Sequence, residues 1–235
     1  MFSWLAAMSS RVMSIIKFRP YGMPCMIKVA LFAGGNLEHF SLDFDVLVGV
    51  DRGSLFLLEQ GVCPDLAVGD FDSVTEEELL RIKDSAKEVV QAHPEKDDTD
   101  LELAVLACFE RYPDACLTIF GAFGGRLDHA LANVFLPSNE KIAQYMEKIF
   151  LEDEQNLLTY VPKGRHEIRP VTGMRYLAFL PSDDAALTIE GAKYPLNKDN
   201  FFFKKVYASN EFIDKPIYLD FDSGYTVVIY SKDRS

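Results

Sequence analysis

The chain has 235 residues, and 24 Lys+Arg against 36 Asp+Glu give it a formal net charge of −12 at pH 7. With 49% hydrophobic, 26% charged and 12% aromatic residues it is no disordered or low-complexity chain, and its acidic balance argues against a nucleic-acid binder, which needs a basic face. No apolar run approaches the ~20 residues that a membrane span requires, so a soluble globular protein with no membrane partner is expected.

Residues 1–25 contain Arg11, Lys17 and Arg19 and no acid. Such a segment can be an organelle transit peptide, but an extension ahead of Met26 is the simpler reading, and the chain is expected to be cytoplasmic. From residue 26, short apolar runs alternate with helical stretches. The runs Ile27–Phe32, Val46–Val50, Leu66–Val68, Glu88–Gln91, Leu117–Phe120 and Ile149–Leu151 read as strands. Ser73 with Glu76 forms a capping box opening a helix to about Ala86, Thr99 with Glu102 opens another to about Arg111, and a third covers Arg126–Leu136 and stops at Pro137. Strands alternating with helices predict an α/β domain over residues 26–152, a mainly parallel, Rossmann-like sheet with flanking helices.

After residue 152 the helical period disappears. Arg175–Phe179, Ala186–Ile189, Lys204–Val206, Ile217–Phe221 and Tyr225–Tyr230 are β-branched or aromatic runs, separated by turn signals at Lys163-Gly164, Pro181 to Asp184, Asn197 to Asn200 and Ser223-Gly224. Regularly spaced short strands predict an all-β sandwich domain over residues 153–235. Cys25, Cys63, Cys108 and Cys116 form no C-x-x-C pair and read as free thiols of a reducing compartment.

The polar clusters follow predicted strands: Gly34-Gly35-Asn36, Asp51-Arg52-Gly53, Gly69-Asp70-Phe71-Asp72-Ser73 and Gly121 to His129. In an open parallel sheet all of these face one carboxyl edge, where ligands bind. Asp70 and Asp72, two apart in an extended segment, project to one side and can share a cation, and Asp100 at a helix start can supply a third carboxylate. Any one Asp is most simply a cap or turn residue. Five of them at one edge (Asp51, Asp70, Asp72, Asp97 and Asp100) point instead to a hydrated Mg²⁺ site. Glycines 121–125 followed by Arg126 suit phosphate, since glycine lets a ligand approach the backbone and arginine binds phosphate oxygens bidentately. No G-x-x-x-x-G-K-[ST] occurs, which excludes a P-loop NTPase, and no G-x-G-x-x-G follows a strand. Of the four histidines, only His129 lies within a candidate site, in a supporting role rather than as the base.

Taken in order, V-G-D-F-D-S (68–73), K-D-D-T-D (96–100), G-G-R-L-D-H (124–129), G-A-K-Y-P-L (191–196) and S-N-E-F (209–212) resemble the thiamine pyrophosphokinase family, over roughly residues 27–230. The resemblance implies Mg²⁺-dependent transfer of the pyrophosphoryl group of ATP to thiamine, giving thiamine diphosphate and AMP, by a homodimer with active sites between subunits. By motif position, Asp70, Asp72 and Asp100 would be the metal-linked catalytic carboxylates. Asp51, Asp97, Thr99, Arg126 and Asp128 would line the ATP region, and Ser209, Asn210 and Tyr194 the thiamine. Ala192 departs from the family pattern, which has a larger apolar residue there. Two other readings compete with this one: another metal-dependent nucleotide phosphotransferase or hydrolase on the same platform, and a non-catalytic binder of thiamine or nucleotide.

Overall fold

The computed structural model describes residues 26–92 and 97–234; the extension, Trp4, Cys25, His93 and Lys96 lie outside the described residues. The first half supplies β1 (Ile27–Phe32), β2 (Val46–Val50), α1 (Arg52–Glu59), β3 (Leu66–Gly69), α2 (Glu76–Ser85), β4 (Val89–Gln91), α3 (Asp100–Arg111), β5 (Ala115–Phe120), α4 (Leu127–Val134), α5 (Glu140–Ala143) and β6 (Ile149–Glu152). The second supplies β7 (Asn156–Ile168), β8 (Tyr176–Pro181), β9 (Thr188–Glu190), β10 (Tyr207–Asn210) and β11 (Ile217–Ser231).

All of these strands join one mixed sheet, in the order β10-β8-β11-β7-β6-β5-β1-β2-β3-β4, with β9 on β11. From β4 to β6 every pairing is parallel. β6 then pairs antiparallel with β7, and the remaining strands continue antiparallel. The expected boundary at residue 152 therefore falls between two paired strands, and one sheet runs through it. Beyond it the chain folds into a sandwich-like part whose core is Val161, Phe179, Ile189, Leu219 and their neighbours.

Side chains of β7 and β11 alternate between the two cores, as a period of two requires. Leu158, Tyr160, Tyr225 and Val227 join the core beneath the helices, while Leu157, Val161, Val228 and Tyr230 join the sandwich core.

Several local expectations are corrected. The helix after β3 is capped by Thr75 with Glu78, not by Ser73 with Glu76, because residues 70–74 form a turn in which Phe71 takes φ 60° and Asp70 Oδ1 accepts the Asp72 amide at 3.0 Å. The Thr99–Glu102 box forms as read. Lys163-Gly164 and Ser223-Gly224 do not end strands. Gly164 pairs with Phe221 and Pro162 with Tyr225, so the register shifts across residues 222–224 as in a bulge, and both strands run on. Lys204–Val206 is not a strand, since Lys204 takes φ 61°; β10 begins at Tyr207. Cys63 and Cys108 are free thiols, but Cys116 is disulfide-bonded, against the expectation of free thiols throughout.

Helix α1 is not among the helices read from the sequence, and it carries a glycine, which inside a helix costs about 1 kcal/mol relative to alanine. Gly53 is there for contact: a Cβ on it would lie 1.7 Å from the Phe32 carbonyl oxygen, so only glycine lets α1 pack this closely on β1.

Candidate active site

Strand order reverses around β1: β2 to β4 lie on one side of it, β5 and β6 on the other. A crevice opens where such a reversal meets the carboxyl edge. Three carboxylates from separate elements meet at this edge. Asp51 ends β2, Asp70 follows β3 and Asp100 opens α3, and one oxygen from each lies within 4.8 Å of the others.

Asp51 is held there by its surroundings. It takes the strained pair φ 47°, ψ −117°, its amide donates to the Val68 carbonyl at 2.9 Å, and its Oδ1 accepts the Phe71 amide at 3.2 Å. A Cβ at residue 69 would lie 1.9 Å from that Oδ1, so Gly69 makes the room. Burial pushes the Asp51 carboxyl up to about 7, with further upward pressure from the charges of Asp100, Asp70 and Asp72, against the lowering hydrogen bond from Phe71. Half-buried oxygen donors that repel one another fit a hard divalent cation such as Mg²⁺.

Asp72 is exposed and is not among the three; the turn at Phe71 removes the extended geometry that would have aligned it with Asp70. Asp97 is exposed as well. Thr99 uses its hydroxyl to cap α3, accepting the Glu102 amide at 3.2 Å. Neighbouring Asp98 accepts hydrogen bonds from Asn139 at 2.9 Å and Lys141 at 2.6 Å, which ties the start of α3 to α5.

Across the crevice, the loop after β5 is zipped to the loop after β1. Ala33 donates to Phe120 and Gly35 to Gly121, both at 2.9 Å, and Asn36 donates to Phe123 at 2.8 Å. Gly121, Gly124 and Gly125 all take positive φ. Arg126 forms a two-pronged ion pair with Asp128, at 3.1 and 2.5 Å, and holds that carboxyl down at about 2. Both are exposed, as is His129. Helix α4 buries no side chain and leaves Leu127 72% and Leu131 49% exposed.

The residues expected at thiamine lie on and beside β10, at the other border of the sheet. Asn210 is buried and clamps the Tyr194 backbone, accepting its amide at 3.0 Å and donating to its carbonyl at 2.8 Å. Ser209 is exposed at φ 58°, and the exposed Tyr194 ring has the Lys193 ammonium 5.5 Å from its centre. Six strands separate β10 from β2, a path on the order of 30 Å measured along the sheet at strand spacing.

Sequence reasoning passed over two features. Glu152, buried at the end of β6, meets His39 Nε2 at 3.1 Å and so pins the loop after β1. A cavity of about 190 Å³ lies between that loop and α1, with Arg52 at its rim. The only advance signal of the latter was Arg52 standing inside the Asp51-Arg52-Gly53 motif. A larger hollow of about 820 Å³, beside α3 and β4, is lined by none of the three carboxylates.

Comparison with known proteins gives a consistent picture. Residues 37–147 match the family model described as thiamin pyrophosphokinase, catalytic domain, and residues 165–226 match thiamin pyrophosphokinase, vitamin B1 binding domain. The chain is similar to thiamine pyrophosphokinase of Bacillus subtilis, with 36% identity over 217 residues covering 88% of this chain and all of the relative. It is also similar to the crystal structure of a thiamin pyrophosphokinase family protein from Enterococcus faecalis, with 39% identity, a TM-score of 0.79, and coverage of 88% of this chain and 100% of that one. Thiamin pyrophosphokinase from Candida albicans shares the fold at 15% identity, with a TM-score of 0.66 over 88% of this chain and 89% of that one.

Proposed function

The chain belongs to the thiamine pyrophosphokinase family and transfers the pyrophosphoryl group of ATP to thiamine; we propose that it does so at the crevice edge with Mg²⁺ held by Asp51, Asp70 and Asp100. The observation that carries this reading is the convergence of three carboxylates from three separate elements within 4.8 Å. When bound, Mg²⁺ supplies charge neutralisation on the phosphate oxygens. The hydroxyl oxygen of thiamine forms a bond to the β-phosphorus, the bond from that phosphorus to the α-phosphate oxygen breaks, and the electron pair leaves with AMP.

The protein's own part is orientation and charge. Arg126 turns from Asp128 to the transferred diphosphate; an ion pair exposed to solvent gives it up readily. Asp72 takes the hydroxyl proton. It stands outside the three-carboxylate cluster, and a carboxylate that holds a metal is a poor base. The acidic rim of Asp72 and Asp97 favours the approach of cationic thiamine.

Thiamine is read as binding at Tyr194, Ser209 and Asn210, and the distance from there to the carboxylates supports a homodimer in which one protomer's β10 edge covers the other's crevice. The exposed Leu127 and Leu131 on α4, and Phe202, Phe203 and Val206 before β10, offer apolar surface for that contact. Cytoplasmic location is retained as part of this reading. Among the described residues no helix is long and apolar enough to cross a membrane.

The test is complementation. Asp70→Asn and Ser209→Arg proteins should each be inactive, and their refolded mixture should recover up to about a quarter of wild-type thiamine diphosphate formation, since half of the dimers are hybrids with one intact site. A mixture that forms hybrid dimers but stays silent would sink the shared site. ADP rather than AMP as product would favour a different nucleotide phosphotransferase.

A further inference from the structure

Beside the carboxylates runs a slot that the proposed chemistry does not use. One wall is the loop after β1, at Gly34, Gly35 and Leu37; the other is the face of α1 that carries Arg52, Phe56 and Glu59. These helix positions are spaced four and three apart, so they form one stripe. At about 190 Å³ the slot is smaller than the ~300 Å³ at which sites for whole small molecules begin, so it admits part of a ligand.

Its ends carry opposite charge. Arg52 stands at the end next to Asp51, and Glu59 lies about 10 Å further along the helix axis. An anion is repelled at the Glu59 end and attracted at the Arg52 end. Arg52 is exposed with the charge of Glu78 nearby, and among the described residues its guanidinium makes one hydrogen bond, Nη1 to the Ser73 carbonyl at 3.2 Å, so N–H donors remain for a ligand. Arg126 is already engaged by Asp128 on two N–H groups. On the loop wall of the same slot, a Cβ added to Gly34 would meet nothing within 4 Å, so a ligand can come right up to the backbone there.

We propose that Arg52 is a phosphate-binding residue of this enzyme, gripping phosphate oxygens of the ATP chain at the mouth of the slot while the chain runs on over Asp51, Asp70 and Asp100. This assignment rests on the proposed function and gives it a second arginine, on the opposite side of the crevice from Arg126. The bond from Arg52 to Ser73 also links α1 to the turn bearing Asp70 and Asp72, so a purely structural role is the rival explanation.

Steady-state kinetics of Arg52→Gln and Arg52→Lys, following AMP, separate the two. Arg52→Gln should raise the KM for ATP about tenfold or more, leave the KM for thiamine within about twofold, and melt within about 2 °C of wild type. Arg52→Lys should recover part of the loss, because it keeps the charge and loses the fork. Calorimetric binding of Mg²⁺-ATP without thiamine should weaken in parallel and become less salt-dependent. An unchanged KM for ATP, or both KM values rising together, would overturn the assignment. If Arg52→Gln melts low, Arg52→Lys carries the test. Failure of the wild-type protein to make AMP from ATP and thiamine overturns the proposed function instead, and the ATP calorimetry still decides the role of Arg52.

Discussion

The two halves of the sheet reach their candidate sites by different means. In the parallel half, each carboxylate comes from a different strand end or helix start, and the site exists only because six parallel strands end on one edge. In the antiparallel half, Tyr194 and Asn210 are joined directly by a pair of side-chain-to-backbone hydrogen bonds at the sheet's far border. Yet backbone strain falls in both places. The four non-glycine residues with positive φ among those described are Asp51, itself one of the carboxylates, Phe71 next to Asp70, Lys204 shortly before β10 and Ser209 next to Asn210. Strain of ~1–3 kcal/mol per residue persists only where the surroundings enforce it, and it tends to gather at working sites. Parallel architecture collects charge at a point, while antiparallel architecture presents a rigid edge.

The sharpest way to test that contrast is Asp70→Asn. It should lower kcat for thiamine diphosphate formation by about 10³-fold while the thermal melt stays close to wild type, because the residue serves chemistry rather than packing. A large drop in melting temperature with proportionate loss of activity would break the distinction. Gly69→Ala comes next. Its Cβ would strike Asp51 Oδ1, so we expect about 2–3 kcal/mol of destabilisation in urea titration. Gly173→Ala in the antiparallel half, where a Cβ meets nothing but φ is 85°, should cost about 1 kcal/mol.

Asn210→Ala removes the clamp on Tyr194 and strands three backbone groups, the Tyr194 amide and carbonyl and the Glu211 amide, which also donates to Asn210 Oδ1 at 3.0 Å. The loss should cost about 2 kcal/mol and raise the KM for thiamine while sparing that for ATP. Asp51→Asn should abolish activity yet melt about 2–4 °C higher than wild type in EDTA, since it relieves repulsion among the carboxylates; added Mg²⁺ should then stabilise wild type and not the variant. The smallest effect is expected for Asp128→Asn. Freeing Arg126 from an exposed partner should alter the KM for ATP by no more than about threefold.

How legible the molecule was in its sequence follows the same division. The parallel strands could be read because buried strands are continuous apolar runs such as Ile27–Phe32, and the start of α3 because Thr99 and Glu102 complete a local motif. The antiparallel strands were read in pieces. Glycines at 164 and 224 signal turns in a one-dimensional reading, and only the pairing of β7 with β11 makes them part of an irregularity inside two long strands. Among the candidate site residues, Asp70 and Asp100 were legible because each follows a strand or opens a helix. The partnership of Asp51 with these two, in place of Asp72, depends on a left-handed Phe71 that no residue preference announces. Arg52 was visible only as part of the polar cluster after β2, and its place on the wall of the slot depends on α1, for which no capping motif stands in the sequence.

The sharing of β7 and β11 between two cores bears on how the chain is made. Synthesis delivers β1 to β6 first, but the core beneath their helices also needs Tyr160, Tyr225 and Val227. A nascent chain ending at residue 152 therefore leaves apolar surface open until nearly the last strand has emerged. Contacts so distant in sequence slow folding and prolong exposure to aggregation. The core beneath the carboxylate edge is consequently completed only once β11 has emerged, and the two halves are expected to melt in a single transition.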